Sequence, residues 1–269
     1  MGDNGKNLKQ KQARLGELAL SNEGYMMKII EYNNANDIII EFQDKYKAKT
    51  RGQYINFKKG KFKNPYHPSV FNIGYIGEGK YKVSENEVIT RIYNTWVGML
   101  RRCYDPYTIN KQPTYRDCIV CEEWRNFQNF AEWYEENYYE VEDETMCLDK
   151  DILCKGNKIY SPKSCVFVPN RINCLFTKRQ NYRGEYPIGV SYVKRNNKLQ
   201  SSCFTYDKGD IKGHRKFLGY FPLNKPFQAF YTYKQFKENY IKQVANEYKD
   251  LIPRKLYNAL YEWRVEIND

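Results

Sequence analysis

Leu148-Asp149-Lys150-Asp151, followed by Gly156-Asn157-Lys158-Ile159-Tyr160-Ser161-Pro162-Lys163-Ser164-Cys165, is the stretch on which the reading of this chain turns. The first run is the end of a strand; the second, with its Gly-Asn and Ser-Pro steps, is a turn leading into further regular structure. Asp149 is the first of the two acids in that strand-end run. Its neighbour Lys150 is a poor base, because an ammonium with an ordinary pKa of about 10.4 stays protonated. Asp149 and Asp151 alternate along an extended chain and are expected to face opposite ways. Asn157 after Gly156 suits a left-handed turn position, and Asp149 can equally pair with Lys150 or Lys158.

Two helices are predicted upstream. From Glu87 to Tyr104, Val88, Ile92, Trp96 and Met99-Leu100 recur at helical intervals. Arg91, Arg101 and Arg102 fall off that stripe. From Glu122 to Tyr139 the apolar face is Trp124, Phe127, Phe130-Ala131 and Tyr134, with Glu132, Glu135 and Glu136 elsewhere. Pro106 and Pro113 mark the segment Asp105 to Asp117 as a loop. Nearer the N-terminus, residues 1–24 read as polar and frayed or a short helix. Met26–Glu31 and Asp37–Gln43 form a hairpin around Asn33-Asn34-Ala35-Asn36. Tyr54–Phe57 reads as another strand, and Lys58-Lys59-Gly60-Lys61 as a basic turn. His67, between prolines, is expected to pack on Tyr66.

Beyond Tyr186 the pattern becomes three strands, Ile188–Lys194, Leu199–Tyr206 and Arg215–Phe221, with turns at Arg195-Asn196-Asn197 and Asp207-Lys208-Gly209-Asp210. A helix from Pro226 to about Tyr248 follows. Leu256, Leu260 and Trp263 then predict a short helix that docks back. His214 is expected at a strand edge or on a phosphate.

Charge separates these regions. The 269 residues carry 44 Lys+Arg and 32 Asp+Glu, a net +12, which favours a polyanionic partner. Residues 45–82 hold ten Lys/Arg and one acid, and residues 177–225 hold eleven and three, whereas residues 121–151 hold eleven acids and two bases. Lys58, Lys59 and Lys61 are therefore candidate phosphate contacts. Twenty-six Tyr and fourteen Phe suit small cores with wet edges or stacking on bases. No apolar run approaches the roughly 20 residues of a membrane span. The Lys-rich Met1–Gln12 contains no apolar signal segment, so a cytoplasmic location is expected. Among eight cysteines, some of Cys118, Cys121, Cys147, Cys154 and Cys165 are candidates for a structural zinc, with ordinary buried thiols as the alternative.

The islands Trp96-Val97-Gly98-Met99-Leu100-Arg101-Arg102-Cys103-Tyr104, Val120-Cys121-Glu122-Glu123-Trp124-Arg125-Asn126-Phe127 and the 148–165 run together resemble the phage-encoded HNH-type nucleases. That resemblance spans about eighty residues and implies a ββα centre within 85–180. In those enzymes a histidine general base and an Asp/His-held divalent metal do the hydrolysis. Here Lys150 stands at the histidine position, and no histidine occurs between His67 and His214. The expectation is therefore a retained fold with a degenerate site. Asp149, Lys150 and Asn157 are the catalytic candidates. No cofactor is expected, save magnesium or manganese if hydrolysis survives.

Gly189-Val190-Ser191, Lys198-Leu199, Phe217-Leu218-Gly219-Tyr220-Phe221 and Ala229-Phe230-Tyr231 resemble the APETALA-type (ethylene-response-factor) DNA-binding domain over about sixty residues. Leu199 and Phe217 stand where tryptophans are expected. The resemblance implies a sheet that enters the major groove with a helix behind it. It places Ser191, Gln200, Ser202, Arg215 and Phe217 on one face, with Lys194, Arg195 and Lys216 beside them. The expected fold is α+β, in four parts: a polar segment 1–24, a basic β module 25–84, the HNH-like 85–180, and the reader 181–269. The expected function is double-stranded DNA binding in a bacterial host cell, with Arg101, Arg102, Lys150, Lys155 and Lys158 as further phosphate contacts. One alternative is a counter-defence protein that binds a host nucleic-acid enzyme such as a CRISPR nuclease (an anti-CRISPR), through helix 122–140 or the basic lobes. The other is a working metal-dependent endonuclease.

Overall fold

A computed structural model describes residues 11–177, 185–207 and 213–269. The chain is α+β and divides into two compact units, residues 1–135 and 136–269, so the division falls inside the stretch 85–180. Residues 1–10, and most of the turn expected at Asp207-Lys208-Gly209-Asp210, lie outside the described residues. Among the described residues no helix is long and apolar enough to cross a membrane.

The first unit begins with an antiparallel sheet in the order β1 (Leu18–Leu20), β2 (Met26–Asn34), β3 (Asp37–Phe42), β4 (Lys49–Gly52). Alternation drives it: Met27, Ile29, Ile38, Ile40 and Phe42 point to one face and are fully buried. The hairpin turns at Asn34-Ala35-Asn36, where Asn34 Oδ1 accepts the Asn36 N–H at 2.8 Å. β1 lies in the segment expected to be frayed; pairing of Leu20 with Met26 orders it. Tyr54–Phe57, expected as a strand, is instead the helix α1 (Tyr54–Lys58). Helical turning puts Tyr54 and Phe57 on the same side, their rings 6.0 Å apart, where a strand would oppose them. Much of the module's charge is answered internally. Lys28 and Lys49 flank Glu41 across the sheet, and Arg51 grips Asp37 with two hydrogen bonds of 2.6 and 2.7 Å.

Next come the two-residue strands β5 (Ser84–Glu85) and β6 (Val88–Ile89), then α2 (Arg91–Tyr104). Val88, expected on the helix, lies on this hairpin. The Thr90 side chain caps α2 by accepting the Tyr93 N–H. Trp96, Met99, Leu100 and Cys103 are its buried stripe, and Trp96 Nε1 donates to the Trp124 carbonyl at 2.7 Å. Gly98 sits mid-helix with open space where a Cβ would go. Gly98→Ala should therefore raise the denaturation midpoint by the equivalent of about 1 kcal/mol; a lowered midpoint would contradict this reading of α2. The expected loop after Asp105 contains α3 (Pro106–Lys111). Pro106 starts it rather than blocking it, because the first turn needs no proline N–H, and Asp105 accepts the Thr108 N–H as cap. In α4 (Phe127–Asn137), Phe127, Phe130, Ala131 and Tyr134 are buried while Glu132, Glu135 and Glu136 are exposed.

In the second unit β7 (Met146–Asp149) pairs antiparallel with β8 (Val166–Pro169), and α5 (Asn170–Leu175) follows at once. A second antiparallel sheet runs β9 (Val190–Val193), β10 (Lys198–Thr205), β11 (His214–Phe221). The chain closes with α6 (Pro226–Glu247) and α7 (Arg254–Tyr261). One helix serves both sheets. Ala229, Phe230 and Tyr233 of α6 pack with Val190, Leu199 and Cys203. Tyr240, Ile241, Val244 and Ala245 pack with Val166, Val168, Ile172 and the α7 residues Leu256 and Leu260. The buried Arg171 ties α5 to the end of β10 and to the end of α6. Its Nε donates to the Tyr206 carbonyl at 2.7 Å, and its guanidinium meets Glu247 at 2.6 Å. Trp263 lies just past α7 with its ring 4.4 Å from that of Phe176.

Candidate nucleic-acid interface

The 148–165 run forms a self-contained turn. β7 stops at Asp149, so Asp151 is not a strand residue and the expected alternation with Asp149 does not arise. Asp149 Oδ1 accepts the N–H groups of Asp151 and Ile152, each at 2.8 Å. Asn157 Nδ2 donates to the carbonyls of Lys150 and Ile159 at 2.7 Å, while the left-handed position is taken by Gly156 (φ +80°) rather than by Asn157. Ser164 Oγ lies 2.8 Å from Ser161 Oγ and donates to the Ile159 carbonyl at 2.7 Å. The polar residues that make this run recognisable are engaged in holding it.

Burial raises the Asp149 carboxyl to about 6, with the Asp151 charge adding to the effect. Lys150, expected as a base position or phosphate contact, is 7% exposed and makes an ion pair of 3.0 Å with Asp151. Its ammonium lies 5.8 Å from the Tyr160 ring centre, which withdraws it from an incoming phosphate. Lys155 is likewise engaged, donating at 2.8 Å to both Asp269 and the Arg264 carbonyl. Among the described residues, Cys118, Cys121, Cys147, Cys154 and Cys165 included, no group of three or more His, Cys, Asp or Glu forms a metal-holding set.

The β9–β11 sheet has two distinct faces. Leu199, Ser201, Cys203 and Thr205 alternate toward α6 and are buried. Between them Gln200 and Ser202 point outward. The register sets Ser191 beside Gln200, Gln200 beside Tyr220, Ser202 beside Phe217, and Phe204 beside Arg215. Ser191, Gln200, Ser202, Arg215 and Phe217 therefore share one face. Lys216 lies opposite Cys203 in register and so has the other parity, although it is exposed. Lys194 and Arg195 occupy an exposed 3-10 turn closed by Asn197 in left-handed geometry (φ +46°). The Arg215 guanidinium sits 5.4 Å from the Phe204 ring centre, a cation–π geometry.

Tyr220 escapes a period-two reading. Ser201 opposes Gly219 and Ser202 opposes Phe217, so Leu218 is an extra residue in β11. This bulge turns Phe217 and Tyr220, three apart in sequence, onto the same face with ring centres 4.9 Å apart. Gly219, with φ +143°, was the available sign. Phe204 shares the parity of Gln200 and Ser202 and was readable directly.

The remaining basic candidates differ among themselves. Lys59 and Lys61 are exposed on either side of Gly60, but Lys58 is held by Glu17 at 3.0 Å. Arg101 is exposed on α2; Arg102 is half-buried, with its guanidinium 5.9 Å from the Tyr115 ring centre. His67 packs edge-on against Tyr25, with ring centres 5.7 Å apart, rather than on Tyr66. His214, at the start of β11, has Nε2 2.9 Å from Thr205 Oγ1 and Nδ1 3.8 Å from Asp207. No family model, curated protein or solved structure matches this chain.

Proposed function

We propose that this chain binds double-stranded DNA through the outward face of β9–β11, and that the Asp149 turn serves the fold rather than hydrolysis. One observation carries the reading. Gln200, Arg215, Ser191 and Ser202 converge on one face of three strands that contain no acidic residue. Arg and Gln can each bond a base edge bidentately. Lys194, Arg195 and Lys198 surround them as phosphate contacts. For Asp149, the two backbone N–H groups on Oδ1 supply a structural occupation.

Fluorescence anisotropy with a labelled duplex over a salt series tests this. Affinity should fall with salt, the logarithmic slope reaching about −3 for the three phosphates that Lys194, Arg195 and Lys198 would neutralise. Arg215→Ala should weaken binding about 5- to 150-fold, the equivalent of 1–3 kcal/mol. Its melting midpoint should stay near that of the parent, since surface substitutions usually move stability by less than about 0.5 kcal/mol. Equal affinity of variant and parent would remove the sheet face as the contact surface.

A further inference from the structure

We infer that the Phe217–Tyr220 ring pair is a docking platform for an unstacked base, so that this face prefers DNA carrying an unpaired base to an intact duplex. The inference rests on the nucleic-acid reading of the sheet and narrows its ligand. Phe217 is 51% and Tyr220 45% exposed. Two adjacent aromatic rings held half in water cost hydrophobic free energy that ordinary strand alternation would have avoided. The bulge at Leu218 brings them together, and without it one of the two would turn toward α6. Intact B-form DNA has no matching surface. Its grooves present polar base edges, and thymine methyls are the principal apolar groups. The π faces of the bases become accessible only where stacking is broken, and there aromatic side chains take them up.

The neighbours of the rings complete a base site. Across the strands Gln200 adjoins Tyr220 and Ser202 adjoins Phe217, so each ring has a hydrogen-bonding side chain beside it to meet the edge of a stacked base. Arg215, held over Phe204, adds a cation one register step away. None of the three strands contributes a carboxylate that would repel the adjoining phosphates.

The test is anisotropy on the full chain with three labelled DNAs of one sequence: an intact duplex, the same duplex with one unpaired extra base, and the single strand. Parent protein should bind at least one of the two DNAs with unstacked bases about 5- to 150-fold tighter than the intact duplex. Phe217→Leu and Tyr220→Leu keep an apolar side chain but remove the π face, and each should shrink that preference. Arg215→Ala should weaken all DNAs that bind and leave the preference standing. Equal affinity for all three DNAs, or a preference untouched by both leucine variants, overturns the inference. If the intact duplex still binds in an Arg215-dependent way, that result leaves the broader reading in place; failure to bind any of the three ends both. Melting midpoints of the variants, expected near the parent's, exclude unfolding as the cause.

Discussion

Gly189→Ala should destabilise the second unit by about 2–5 kcal/mol. Gly189 has φ +79°, and an added Cβ would lie 2.1 Å from the Tyr233 ring. Left-handed backbone costs a non-glycine residue about 1–2 kcal/mol. Overfilling a packed site adds about 1–3 kcal/mol. Tyr233 is buried, and the Gly189 carbonyl accepts the Ser202 N–H at 2.9 Å, so neither partner has room to withdraw. Chemical denaturation measures the effect. Combining the change with Tyr233→Ala should recover the steric part and leave the backbone part, so that the two substitutions are strongly non-additive. A loss below about 1 kcal/mol, the least that the backbone alone should cost, would mean that the ring swings clear and the glycine is not what seats the sheet on α6.

Asp149→Asn should make the second unit progressively more stable than the parent as pH rises from about 4 to 7. The folded-state pKa is raised from 3.8 to about 6. A raised carboxyl contributes stability that is fully present below the unfolded pKa and is lost as pH climbs through the folded one. A tenfold change in proton affinity is worth about 1.36 kcal/mol, so the parent forfeits up to about 3 kcal/mol across that window. Asparagine does not titrate, and its Oδ1 can still accept the N–H groups of Asp151 and Ile152. The gap between the two proteins should therefore widen by up to about 3 kcal/mol. Asp149→Ala loses the same titration but strands two N–H groups. It should therefore start below the parent at pH 4, by about 1–3 kcal/mol for each group left without a partner. By pH 7 it should recover up to about 3 kcal/mol of that deficit. Denaturation at pH 4, 5, 6 and 7 decides the matter. A gap that stays constant over the series would mean that Asp149 titrates normally and that its turn is wetter than the geometry implies.

What the sequence revealed follows from how far apart the determining contacts lie. The hairpin over 26–43, the three strands after Tyr186 and the helix from Pro226 all repeat a period several times within a few residues, and each stands within a few residues of where that period puts it. The outward set Ser191, Gln200, Ser202, Arg215 and Phe217 combined strand parity with the resemblance, and the register puts the five on one face. The failures are short elements set by distant partners. Leu18–Leu20 is a strand because Met26–Lys28 offers an edge. Tyr54–Lys58 turns helical because it buries Phe57. Lys150 is the sharper case, since its type suits a surface. Asp151 and Tyr160 draw it inward, and no local signal in the chain records that. Tyr220 was hidden by one inserted residue, which reverses parity for everything beyond it.

The helix α6 has a consequence for how this protein can be taken apart. Pattern alone marks a cassette beginning near residue 181 that looks ready to be grafted elsewhere, yet the far half of α6 roofs the hydrophobic floor laid by β8 and α5. Excising the last third of the chain would strip Val166, Val168 and Ile172 of their cover. The recipient of the graft would inherit a helix about 33 Å long with an oily, unclaimed end. The β7–β8 pair and the β9–β11 sheet thus stand or fall as a single inheritance. A shuffling event that separated them would have to supply a replacement roof for one and trim the overhang of the other.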